Sequence, residues 1–92
     1  MTPRNIVGLQ LRKFRIERGM SQRELAVFLQ CRGWDVSRGA IARIEGQVRW
    51  VADFELLFLS QALEKPVEEF FDPAQSNDLA EKLVRDLQWG MA

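Results

Sequence analysis

Apolar residues recur along this chain at the three-and-four spacing of helices. Val7, Leu11 and Phe14 fall at i, i+4 and i+7, which predicts a first helix over residues 6–18. Gly19 follows it and suits a left-handed stop. Ser21 then offers a hydroxyl N-cap, and Glu24 three residues on completes an S-x-x-E capping box. Leu25, Ala26 and Leu29 carry a second helix over residues 22–30. Gly33 reads as the left-handed stop of its last turn, with Trp34 covering the core beside Val36. Val36 and Ser37 repeat the apolar-then-hydroxyl start, and Ile41 and Ile44 give a third helix over residues 38–45 its buried side. A fourth helix spans residues 52–64. Leu56, Leu59, Ser60 and Leu63 lie on its core face, and Leu57, Phe58 and Ala62 on a second face. A helix apolar on two sides has to be covered on both. Pro66 ends it, residues 67–71 form a short helical turn, and Phe70 and Phe71 tuck beneath. Asp72-Pro73 reads as a linker. Ser76, Asn77 and Asp78 offer caps for a last helix over residues 79–89, with Leu79, Leu83 and Leu87 as its stripe, widened by Asp86 and Trp89. Residues 1–5 read as a loose arm. The fold class is all-α.

Charge sharpens this picture. The chain has 92 residues and a formal net charge of zero, enough for one domain with a modest core. The zero hides a division. Residues 1–50 carry ten basic side chains against four acidic ones, a balance of +6, and residues 51–92 carry three against nine, a balance of −6. The basic half coincides with the first three helices and points to an anionic partner. Other chemistries lack their residues. There is no histidine, and Cys31 is the one cysteine, so zinc ligation, an intrachain disulfide and a Cys–His nucleophile all lack partners. No phosphate-binding glycine loop is present, and the carboxylates crowd the acidic half as a solvated surface would. An enzyme is not expected, and no cofactor. With no signal-peptide pattern and no apolar run of the ~18–20 residues that span a membrane, the expected location is the cytoplasm.

The order of motifs is more specific. S-Q-x-E-L-A over residues 21–26, followed by V-S-R-x-x-I-x-R-I-E over residues 36–45, resembles the Cro/phage-repressor type of helix-turn-helix, the XRE family. The resemblance runs from Leu9 to Leu63 and includes Arg15, Gly19, Ser21-Gln22, Leu25-Ala26, Val36-Ser37, Ile41, Ile44-Glu45 and Leu63. It implies a lambda-repressor-like five-helix DNA-binding domain over residues 6–72 plus one extra C-terminal helix, the segment 73–92 serving for packing or dimerisation. It also implies roles for individual residues. Arg15 pairs with Glu45 and ties the first helix to the third. Ser21, Gln22 and Arg23 open the second helix at the phosphate backbone, with Gln22 as a clamp. Arg38, Gly39, Ala40 and Arg43 face outward on the third helix, Ala40 toward a thymine methyl. Gln47 and Arg49 contact phosphates from the loop beyond.

The chain departs from the family in three places. Six residues, Gln30 to Asp35, separate Leu29 from Val36-Ser37, a longer turn than the common form. A subgroup with such a turn also carries V-x-D-x-E-L after the third helix, as here over residues 51–56. Gly39, Ala40 and Ala42 stand where the family often has polar side chains, which leaves base readout to Arg38 and Arg43. Gly39 also weakens its helix by ~1 kcal/mol relative to alanine. After Glu45 the glycine comes one place early, as Gly46-Gln47-Val48-Arg49. The function implied is a sequence-specific double-stranded DNA-binding transcriptional regulator, a repressor, reading the major groove with residues 37–45 as a homodimer. The other reading is a protein-interaction module, antitoxin-like, in which the fourth helix or the last one binds a protein partner. The last helix either folds back on Leu57 and Phe58 or pairs with a second copy.

Overall fold

The computed structural model describes the backbone of residues 2–91 and the side chains of residues 2–87. Its elements are α1 (Gly8–Glu17), α2 (Gln22–Cys31), α3 (Arg38–Glu45), α4 (Asp53–Leu63), a 3-10 helix (Val67–Phe70) and α5 (Pro73–Met91), with no strand among the described residues. This is the all-α architecture expected. The core is one cluster built on Leu11, Leu25, Leu29, Ile41, Ile44 and Leu59, with Leu63 and Phe70 equally enclosed. Each of the first four helices supplies its i, i+3, i+4 stripe to this cluster, which is why all four form although none exceeds 11 residues; isolated helices that short are marginal in water. Phe70 packs edge-on to Phe14, ring centroids 5.2 Å apart, and closes the base of the core.

The turns follow the local chemistry. Gly19 and Gly33 both take positive φ, +69° and +98°, and reverse the chain after α1 and α2. Within the longer α2–α3 turn, Gln30 Nε2 donates to the Val36 carbonyl at 2.8 Å. Trp34 lies 6.0 Å from Phe58, so the turn's own tryptophan covers part of the second face of α4. Leu57 and Phe54 on that helix stay half exposed or more.

The C-terminal region differs from the expectation. No linker separates α5 from the 3-10 helix: α5 starts at Pro73, six residues before the predicted start. Pro73 fits the first helical position, where no N–H is needed, and Asp72 caps it, accepting from the Ala74 N–H at 3.0 Å. Ser76, predicted as a cap, is buried within the helix. Nor does α5 fold back over Leu57. It leans toward the N-terminal segment, where Leu83, Asp86 and Leu87 line a cleft with Thr2, Arg4 and Trp50. Val84 and Leu87 remain exposed. Trp89, which the spacing adds to this stripe, lies outside the described side chains. No described helix is long and apolar enough to cross a membrane.

Candidate nucleic-acid interface

The site grows from two capped helix starts. Ser21 is extended, its hydroxyl accepts from the Glu24 N–H at 3.0 Å, and its own N–H donates to Glu24 Oε1 at 3.1 Å. The Ser21 N–H first, and the Ser21 hydroxyl beside the carboxylate second, hold the Glu24 carboxyl below its ordinary range. Ser37 repeats the device, accepting from the Ala40 N–H at 3.0 Å. Both helices therefore begin with fixed N-termini.

A buried cluster joins these helices. Arg15 on α1 donates from Nε to Glu45 Oε2 at 2.6 Å and from Nη2 to Oε1 at 3.0 Å. Its Nη1 donates to the Met20 carbonyl at 2.7 Å. Both charged groups are nearly enclosed, and the hydrogen bonds to Glu45 push the guanidinium pKa up. Gln22 completes the cluster, with Nε2 donating to Glu45 Oε1 at 3.1 Å. Two donors of Gln22 and Arg15 thus meet on one carboxylate oxygen. The end of α3 is tied to α1 and to the first turn of α2, and Gln22's amide nitrogen faces Glu45 inside the fold.

The outward face of α3 carries a basic residue in its first turn and another in its last. Arg38 and Arg43 are exposed and form no ion pair among the described residues; Arg23 on α2 is likewise exposed and unpaired there. Gly39 is half-buried. Ala40 corrects the expectation of an outward contact: it is 7% exposed and belongs to the core. The reason is angular, because residues 37, 40, 41 and 44 form one helical stripe, and that stripe faces the core. The outward set on α3 is therefore Arg38, Gly39, Ala42 and Arg43.

The loop after α3 engages its polar side chains within the fold. Arg49 forms a two-bonded ion pair with Glu55, both distances 3.0 Å, and its charge is engaged within the fold. Glu55 Oε1 also accepts from the Ala52 N–H at 2.9 Å, so one carboxylate caps α4 and anchors the loop. The bonds from Arg49 chiefly, and the Ala52 N–H after burial opposes them, hold the Glu55 carboxyl below its usual range. Gln47 takes φ +60°, the left-handed conformation that a glycine would adopt most readily, while Gly46 beside it is right-handed at −79°. The shifted glycine thus leaves a glutamine in the strained place. Gln47 uses its side chain inward, donating from Nε2 to the Asn5 carbonyl at 3.2 Å.

That bond exposes what sequence reasoning missed. Residues Arg4 and Asn5 are not a loose arm. The Arg4 N–H donates to the Gln47 carbonyl at 2.7 Å. Asn5 is 6% exposed, and its Nδ2 donates both to the Ile44 carbonyl at 3.0 Å and to the Arg49 carbonyl at 2.9 Å. Its Oδ1 accepts from the Gly8 N–H at 2.8 Å. Asn5 therefore caps the start of α1 and the end of α3 at once. Gly8 permits this approach: a Cβ there would stand 2.1 Å from the Ile44 carbonyl oxygen. An asparagine three residues before a glycine at a helix start was the available signal.

The chain matches the family model described as Helix-turn-helix (HTH_3) over residues 11–70. Two crystal structures resemble it over most of its length. One is the restriction-modification controller protein C.AhdI from Aeromonas hydrophila, at 29% identity and a TM-score of 0.62, the match covering 71% of this chain and 87% of that one. The other is the clp gene regulator ClgR from Corynebacterium glutamicum, at 28% identity and a TM-score of 0.67, covering 95% and 92%. No curated protein matches the chain.

Proposed function

This chain belongs to the helix-turn-helix family, and on that premise we propose that it is a sequence-specific double-stranded DNA-binding transcriptional regulator that presents the N-terminal half of α3 to the major groove. The observation that carries this reading is the division of α3. Its C-terminal end is locked by Glu45, Asn5 and Gly8, while Arg38 at its start and Arg43 in its last turn lie exposed on the outward face with no competing carboxylate among the described residues. A free guanidinium on a rigid helix suits bidentate contact with guanine O6 and N7. Resemblance to a controller protein and a gene regulator supports the regulatory part of the reading. Ser21 and Arg23 at the start of α2 supply phosphate contacts, aided by the helix dipole. Gln22 joins them through its amide oxygen while its nitrogen stays on Glu45. Arg49 and Gln47 set the path of the loop rather than its charge. Repression follows from occupying an operator that overlaps a promoter. Homodimerisation through the exposed apolar residues of α4 and α5 places two copies of α3 on half-sites about one DNA turn apart.

A second reading rests on the same apolar residues. Phe54 is 60% exposed, Leu57 50% and Val84 52%, and a protein partner would cover them as well as a second copy would. Such a protein would bind DNA with its basic half and a partner with the other, as an antitoxin does.

Titration against a random-sequence duplex pool at two salt concentrations, followed by sequencing of the bound fraction, separates the readings. A palindrome whose enrichment weakens steeply with salt supports the dimeric regulator. No binding at low salt sinks it and leaves the partner-binding face. Arg43→Ala is expected to relax preference at one base step by ~1–3 kcal/mol; an unchanged motif would remove α3 from the role of reader.

A further inference from the structure

The outward face of α3 holds a feature that the position of Arg43 alone does not explain. Arg43 stands four residues after Gly39, so the two share one face of the helix, one turn apart. Helical side chains lean toward the N-terminus of their own helix, and Arg43 follows that rule fully. A Cβ built on Gly39 would lie 3.3 Å from Arg43 Nη1 and 3.8 Å from Ser37 Oγ. The guanidinium is thus laid back over the bare backbone of Gly39, close to the cap at the start of the helix. A positive charge there is not favoured by the helix dipole, so the helix end itself does not draw it in; the missing side chain makes room for it.

We infer that Gly39 is a positioning residue for DNA reading: by leaving the first turn of α3 bare it seats the Arg43 guanidinium there and so decides which base pair that arginine reaches. The inference rests on the proposal that α3 reads DNA, and it names the residue pair that sets the specificity. Glycine at this position otherwise only weakens the helix. The space over it is filled by the flexible end of a side chain, not by backbone, so a larger residue displaces Arg43 without disturbing the fold.

Two measurements test it. In the free protein, nuclear Overhauser contacts between Arg43 side-chain protons and the Gly39 α-protons are expected, and their absence overturns the seat. Selection from a random duplex pool is then compared for the native chain, Gly39→Leu, Arg43→Ala and the double variant, with circular dichroism confirming folding. The native chain is expected to prefer one base at the Arg43 position by about 5- to 100-fold, the range that a bidentate contact supports. Gly39→Leu is expected to reduce or move that preference while its thermal midpoint is no lower than native and its salt dependence is unchanged. In the Arg43→Ala background the same leucine is expected to change nothing further. A native motif retained in Gly39→Leu overturns the inference alone. An equal change with and without Arg43 also overturns it, because Gly39 would then act by its own contact. Absence of any enrichment by the native chain sinks the reading of α3 and this inference together.

Discussion

The C-terminal end of α3 is tied by polar bonds to three other parts of the chain, whereas its first turn is docked by Ala40 and Ile41 in the core and capped by the Ser37 hydroxyl, with its outward face left open. At the far end, Glu45 receives Arg15 and Gln22, the Ile44 carbonyl receives Asn5 and lies against Gly8, and the loop beyond is closed by Arg49 on Glu55. At the near end, Ser37 accepts one N–H and Arg38 stands in solvent, and the Arg43 side chain reaches back from the last turn along the same exposed face. The difference separates two tasks. The held end fixes the direction in which the helix points. The open face carries residues that are free to change what is read without changing what is folded.

The largest expected effect comes from breaking the held end at its charge. Glu45→Ala leaves Arg15 enclosed without a counter-charge, and a loss of ~3–5 kcal/mol is expected in urea unfolding. Gly8→Ala comes next, at about 3 kcal/mol, because its Cβ meets backbone rather than a mobile side chain, so α1 and α3 must separate. Asn5→Ala is expected to cost about 2 kcal/mol, since two carbonyls lose a buried donor and the Gly8 N–H its acceptor. Both can be checked as shifts of the denaturation midpoint. Glu55→Gln is milder, about 1 kcal/mol near neutral pH, because Arg49 is partly solvated. Its pH dependence gives the sign. A carboxyl whose folded pKa lies below its unfolded value stabilises the fold above the unfolded value and loses that contribution as pH falls through the folded one. Native stability should therefore decline on acidification below about pH 5, and the decline should be shallower in Glu55→Gln. On the open face, Arg43→Ala should lower the stability by less than about 0.5 kcal/mol. A large loss there would erase the contrast between the held end and the open face.

The first four helices were legible because each rests on local rules that tertiary structure did not override. The capping box at Ser21, the stop at Gly19 and the stripe of Ile41 and Ile44 each needed only residues within one turn. Ala40 was misjudged as outward because its neighbours on the stripe, Ile41 and Ile44, decide the direction of the whole face. The start of α5 was misjudged because Asp-Pro suits both a linker and a capped first turn, and only the packing of Ser76 distinguishes them. The inward partners of Arg49 and Gln47 were not legible because a basic or amide residue in a loop carries no local sign of its partner. Their partners, Glu55 and Asn5, stand 6 and 42 residues away. Asn5 itself was the hardest to read, since its acceptors lie 39 and 44 residues along the chain.

That separation has a consequence during synthesis. Asn5 leaves the ribosome well before Ile44 and Arg49 do, so the latch it forms cannot close while α3 is still in the exit tunnel. α1 and α2 can pack earlier, through Leu11, Leu25 and Leu29, but the orientation of α3 waits for the loop that follows it. Docking of the N-terminal segment therefore requires the chain to have emerged through Arg49, whereas the bonds of Arg15 and Gln22 to Glu45 require it only through residue 45.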